Sequence, residues 1–236
     1  MDSLATVVED IRDFMYGGII TLPLTIAGTM LIIGLFTANY AILFFLVGFL
    51  IITPFFSSIF DLVLTSIFDS SFKVTTSDIC KINVPYSHLA SPHPPTQEGV
   101  ACSSWVAMVS FLIGYMFTNG IKIYERESDK DTVTLNEDSK KMDSKVTNRK
   151  SHAIISMASI IIFIIVSLGY RYYTGCESGI GMIITSLLFS GLGYGWYIAL
   201  SAVGQDRLSD IFGIANRLLP KSAVANKPIA CVPIKT

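Results

Sequence analysis

The chain has 236 residues, 51% of them hydrophobic and 15% charged, against roughly 25% charged in an ordinary soluble domain. A formal net charge of −1 gives no electrostatic footprint for nucleic acid. The length accommodates one helical bundle with a loop and a tail, and excludes a second large domain.

The first sixteen residues carry Asp2, Glu9, Asp10 and Asp13 against Arg12. A signal peptide starts basic and ends at a small-residue cleavage site, so the first apolar run is expected to be retained. That run is uncharged from Gly17 to Phe36, and another follows from Tyr40 to Phe60. Three more cover Ala101 to Asn119, Ala153 to Tyr170 and Gly179 to Gly204. A hydrocarbon core roughly 30 Å thick needs about 20 residues of helix. The runs are continuous rather than alternating, and open sheets cannot cross lipid unpaired. The expectation is an all-α, polytopic transmembrane bundle of about five spans, at 18–36, 40–56, 101–119, 153–170 and 179–203.

Only Thr37, Ala38 and Asn39 separate the first two spans, which must therefore form an antiparallel hairpin. Beyond Pro54, the stretch 57–68 is apolar but interrupted by Asp61. It reads as an interfacial helix, a continuation of the second span or a re-entrant segment.

Charge sorts the two faces. The segment 121–152 holds eight of the seventeen Lys and Arg residues, and the tail after Gly204 holds five more. With five spans both fall on one side, which the rule assigns to the cytoplasm. The acidic N-terminus, residues 69–100 and the turn 171–178 face the other way. The tract 121–152 mixes acids, bases, Ser and Thr, and predicts a flexible, solvated loop.

Cysteines stand at 80, 102, 176 and 231 without any Cys/His metal spacing, so neither a metal nor a cofactor is expected. Cys80, Cys102 and Cys176 share the non-cytoplasmic side. Either a disulfide from Cys80 to Cys102 or Cys176, or buried thiols, is compatible with that placement. In the last span Gly191 and Gly195 form a GxxxG, extended by Ser186 and Ser190. This stripe reads as close packing within the bundle rather than as a dimer face.

The final segment, 205–236, begins with Leu208, Ile211, Phe212, Ala215 and Leu218 at helical spacing. It predicts an amphipathic helix stopped by Pro220, with Arg207, Leu208, Ile211, Phe212 and Arg217 meeting the membrane surface or a protein partner. The apolar tail from Pro228 to Pro233 suits extended binding along another protein.

Between the last two spans lies LGYRYYTGCESGIG, from Leu168 to Gly181. In one reading Arg171 snorkels to the interface, and Tyr170, Tyr172 and Tyr173 form an aromatic belt. The segment also resembles the last motif of the type 2 phosphatidic acid phosphatase superfamily, written SRxxxxxHxxxD. Arg171 matches its Arg, but Glu177 occupies the place of the nucleophilic His and Gly181 that of the Asp. Residues 92–99, PHPPTQEG, loosely echo the family's PSGH before a transmembrane helix. The resemblance implies a lipid phosphate phosphatase site at Arg171, His93 and Glu177, with His88 nearby. A phosphoenzyme mechanism needs an imidazole nucleophile and cationic neighbours, whereas a carboxylate at 177 repels phosphate.

RYYTGCESG, the segment 206–220 and the terminal IACVP together resemble multi-span membrane proteins of large double-stranded DNA viruses that infect algae and protists. That resemblance implies a structural, non-catalytic protein of a virion's internal membrane, its partners being lipid and capsid or core proteins. A transporter is disfavoured, because apart from Asp61 the apolar runs hold no ionisable residue.

Overall fold

In lipid every backbone polar group has to be satisfied within its own segment or by a neighbouring one. The computed structural model describes residues 2–68, 102–125, 136–173, 178–204 and 206–211, and helix accounts for nearly all of them. Helix α1 runs Asp2–Phe36. Helix α2, Tyr40–Val47, passes through a π turn at Gly48–Ile52 into α3, Thr53–Phe68. Helices α4 (Ser104–Glu125), α5 (Asn136–Tyr173), α6 (Gly179–Gly204) and α7 (Asp206–Ser209) follow. There is no strand among the described residues.

Four stretches are long and apolar enough to cross a membrane: Tyr40–Leu64, Ser104–Glu125, Lys150–Tyr173 and Gly179–Val203. The first expected span is represented by the shorter apolar stretch Thr21–Phe36 within α1. This is the all-α bundle of a multi-pass integral membrane protein.

Helix α4 is the centre of the bundle and is buried on most of its surface, while α5 is buried almost nowhere. Its largest interface is with α6, followed by that with α5. Facing contacts set the directions. Ser57 meets Ser104 and Phe45 meets Tyr115, so the α2–α3 helix runs antiparallel to α4. Ser110 meets Ser190 and Tyr115 meets Tyr197, so α4 and α6 run parallel. One end of the bundle therefore collects Ile19, Asp61, Trp105 and Arg171. The other collects Asn39, Tyr197 and the segment 209–211.

Phe45 and Phe49 are fully buried between α2 and α4. Their ring centroids lie 5.5 Å apart, and Phe45 meets Tyr115 edge-on at 4.9 Å, an arrangement favoured by the ring quadrupoles. Lipid offers apolar side chains as good a partner as protein does. Contact geometry, rather than hydrophobicity, selects this packing.

The turn between α1 and α2 is built from three residues. Ala38 takes a positive φ of 49°. Its N–H reaches Leu35 O, and Asn39 N–H reaches Gly34 O, which is the Schellman closure of a helix. Asn39 then begins the next helix, its Oδ1 accepting from Ala41 N at 3.0 Å.

Two boundaries differ from the sequence expectation, and one of its open alternatives is selected. The stretch 57–68 continues the second span, since the π turn carries the helix past Pro54, which lacks an N–H for Leu50 O. Helix also occupies 121–125 and 136–152 of the expected flexible loop. The opening of α5 places Glu137 and Asp138 in its first turn, where the helix dipole favours acids. Finally, the expected amphipathic helix stops after four residues, at Ser209. The carbonyls of Ser209 and Ile211 there accept from Tyr115 Oη (2.8 Å) and Asn39 Nδ2 (3.1 Å).

Candidate functional site

At the first end, Pro23 interrupts α1. Without an N–H at Pro23, the carbonyl of Ile19 lacks its helical partner. Trp105, in the first turn of α4, supplies one: its Nε1 donates to Ile19 O at 3.0 Å. The same indole is 1% exposed, and Arg171 from the last turn of α5 lies with its guanidinium carbon 4.9 Å from the ring centroid. Trp105 thus joins α1, α4 and α5 through a hydrogen bond and a cation–π contact. Contacts of the latter kind contribute roughly 0.5–2 kcal/mol, more when desolvated.

Arg171 is 3% exposed. The snorkelling orientation expected for it is replaced by burial on Trp105, a residue that the sequence reading did not single out. Tyr172 and Tyr173 do project outward, whereas Tyr170 has its hydroxyl buried. Beside this cluster, α3 holds the segment that leads into α4. Asp61 Oδ1 accepts from Cys102 N at 3.1 Å, and Ser57 Oγ lies 3.0 Å from Ser104 Oγ. Asp61, the carboxylate that interrupts the apolar stretch 57–68, therefore meets a backbone donor.

Gly181, which stands where the phosphatase motif has its Asp, donates its N–H to Ser178 Oγ at 3.0 Å. This closes the first turn of α6 as an N-cap. Of the suggested phosphatase residues, Arg171 alone is described; His88, His93 and Glu177 lie outside the described residues. Cys102 is buried, with Sγ 4.0 Å from Ser57 Oγ. Cys80 and Cys176 are outside the described residues, as is the question of their pairing. No group of three or more potential metal ligands occurs among the described residues.

The second end carries the segment expected to face a membrane surface or a partner. Ile211 is instead 2% exposed and part of the bundle's main apolar core, with Leu208 packed against it. Tyr115 and Asn39 draw the backbone of this segment inward, which buries Ile211 and leaves Leu208 partly exposed. Arg207 belongs to α7; Phe212 and Arg217 lie outside the described residues. Asn39 was also missed, although a lone Asn directly ahead of an apolar run is a recognisable helix-start signal.

Asn39→Ala should remove both the cap, about 1 kcal/mol, and the hydrogen bond to Ile211, about 1 kcal/mol. Asn39→Asp keeps the capping oxygen but loses the donor. Both variants should be cut faster by trypsin after Arg207, and the alanine variant should show the larger fall in melting temperature, by several degrees. Unchanged cleavage in both would show that Asn39 does not hold the segment.

No protein-family model matches the chain, and neither a curated protein nor a solved structure matches it.

Proposed function

We propose that this protein is a non-catalytic scaffold of a membrane assembly, holding a bilayer to neighbouring proteins through its basic side. The observation that carries the reading is the placement of Arg171. A phosphate-binding arginine has to present its guanidinium to an anionic substrate. Here Arg171 is 3% exposed and its guanidinium lies on Trp105, in a position where it joins helices. The position of the motif's Asp is a glycine, which supports the same reading. The setting, a virion's internal membrane with capsid or core proteins as neighbours, belongs to this proposal and rests on the sequence resemblance alone.

Detergent-purified protein should release no phosphate from phosphatidic acid or a polyprenyl diphosphate. Release that disappears in Arg171→Ala would overturn the proposal in favour of the phosphatase. Crosslinking in native membranes should trap residues 206–236 on a protein neighbour. Labelling of that segment by lipid alone would remove the docking role.

A further inference from the structure

Near the second end, α4 and α5 enclose a cleft of about 20 Å³, lined among others by Met116, Asn119, Gly120, His152 and Ser156. Asn119 is 1% exposed. Neither Oδ1 nor Nδ2 of Asn119 has a hydrogen-bond partner within the protein. A side-chain amide carries two donors and two acceptor lone pairs, and a buried polar group left unmade is costly, above all within a bilayer. His152 and Ser156 stand one turn apart on α5, a spacing that brings both to one face. His152 is exposed and so forms the mouth.

We propose that this cleft is a binding site for one water molecule, which bridges Asn119 of α4 to Ser156 and His152 of α5. Size supports this ligand, since a cavity needs roughly 10–15 Å³ to hold a water. Its polar groups also meet the requirement, because a buried water typically makes about three hydrogen bonds. None of the lining residues is acidic, so a cation would enter without a counter-charge. The bridge fastens α5, the least buried of the spanning helices, to the central helix at a point reachable from the aqueous surface.

Hydroxyl-radical labelling of the full-length protein in nanodiscs tests the site, because radicals form on bound water and modify side chains beside it. Met116 lines the cleft and is partly exposed, while Met108 of the same helix is 3% exposed and does not line it, so the change in Met116 on filling the cleft is the decisive reading. Met116 should be oxidised several times faster than Met108. Asn119→Leu should bring Met116 down to the rate of Met108. Ser156→Val, which fills the cleft from the opposite helix, should do the same and serves if the first variant fails to fold. Equal rates for the two methionines in the unmodified protein would overturn the proposal. So would labelling of Met116 that persists unchanged in either folded variant.

Discussion

Gly193→Ala is expected to be among the most damaging single substitutions in the bundle, for one added methyl group. A Cβ at Gly193 would be driven onto the carbonyl oxygen of Phe111 and to 2.9 Å from Tyr115 N. One at Gly114 would lie 2.7 Å from Ser190 Cα. In both cases the obstacle is backbone of the facing helix, which has no rotamer to change. The helices have to separate along the largest interface of the protein, and overpacking of this kind costs about 3 kcal/mol. Gly191→Ala and Gly195→Ala meet nothing within 4 Å. They should gain about 0.5–1 kcal/mol from the better helix propensity of alanine. Thermal unfolding in one detergent ranks the four variants. The double variant Gly114→Ala/Gly193→Ala should cost less than the two singles together, because a single separation of α4 and α6 relieves both clashes. Similar stabilities for Gly193→Ala and Gly191→Ala would show that the close approach of these helices does not hold the bundle.

This contrast marks where the sequence could be read and where it could not. Runs without charge announce membrane helices, because lipid leaves their backbone no other conformation. The hairpin at 37–39 followed from loop length alone. Small-residue spacing identified α6 as a packing helix and Ser190 as part of the packed stripe, but assigned the wrong glycines. Gly191 and Gly195 look outward, while Gly193 and Ser190 face α4. GxxxG spacing defines a stripe on a helix but not its azimuth within a bundle, and the latter depends on contacts with α4. Ile211 failed as a surface residue for a related reason. Helical periodicity was present, yet two side-chain donors from remote positions, Asn39 and Tyr115, end the helix and turn the segment inward. At the candidate site Arg171 stood out as a charge among apolar residues. Its partner Trp105 lies 66 positions earlier in the sequence, and no local pattern connects the two.

Trp105→Ala is the second variant with a large expected effect. It removes a side chain that is 1% exposed, and Trp→Ala in a packed interior costs about 3–5 kcal/mol. Two further losses are particular to this site. The carbonyl of Ile19, already deprived of its helical donor by Pro23, loses the indole N–H that replaced it. Arg171 loses the ring on which its guanidinium lies. Trp105→Phe separates these effects, since a ring remains beneath Arg171 while the donor is gone. It should cost about 1–3 kcal/mol, the penalty for a buried acceptor left unmade. A double-mutant cycle between Trp105→Ala and Arg171→Met isolates the cation–ring contact. If Arg171 is held by Trp105, the double variant is destabilised by about 1–2 kcal/mol less than the sum of the singles. Additivity to within about 0.3–0.5 kcal/mol would mean that the guanidinium takes its stability from elsewhere. The scaffold reading would then lose its main support.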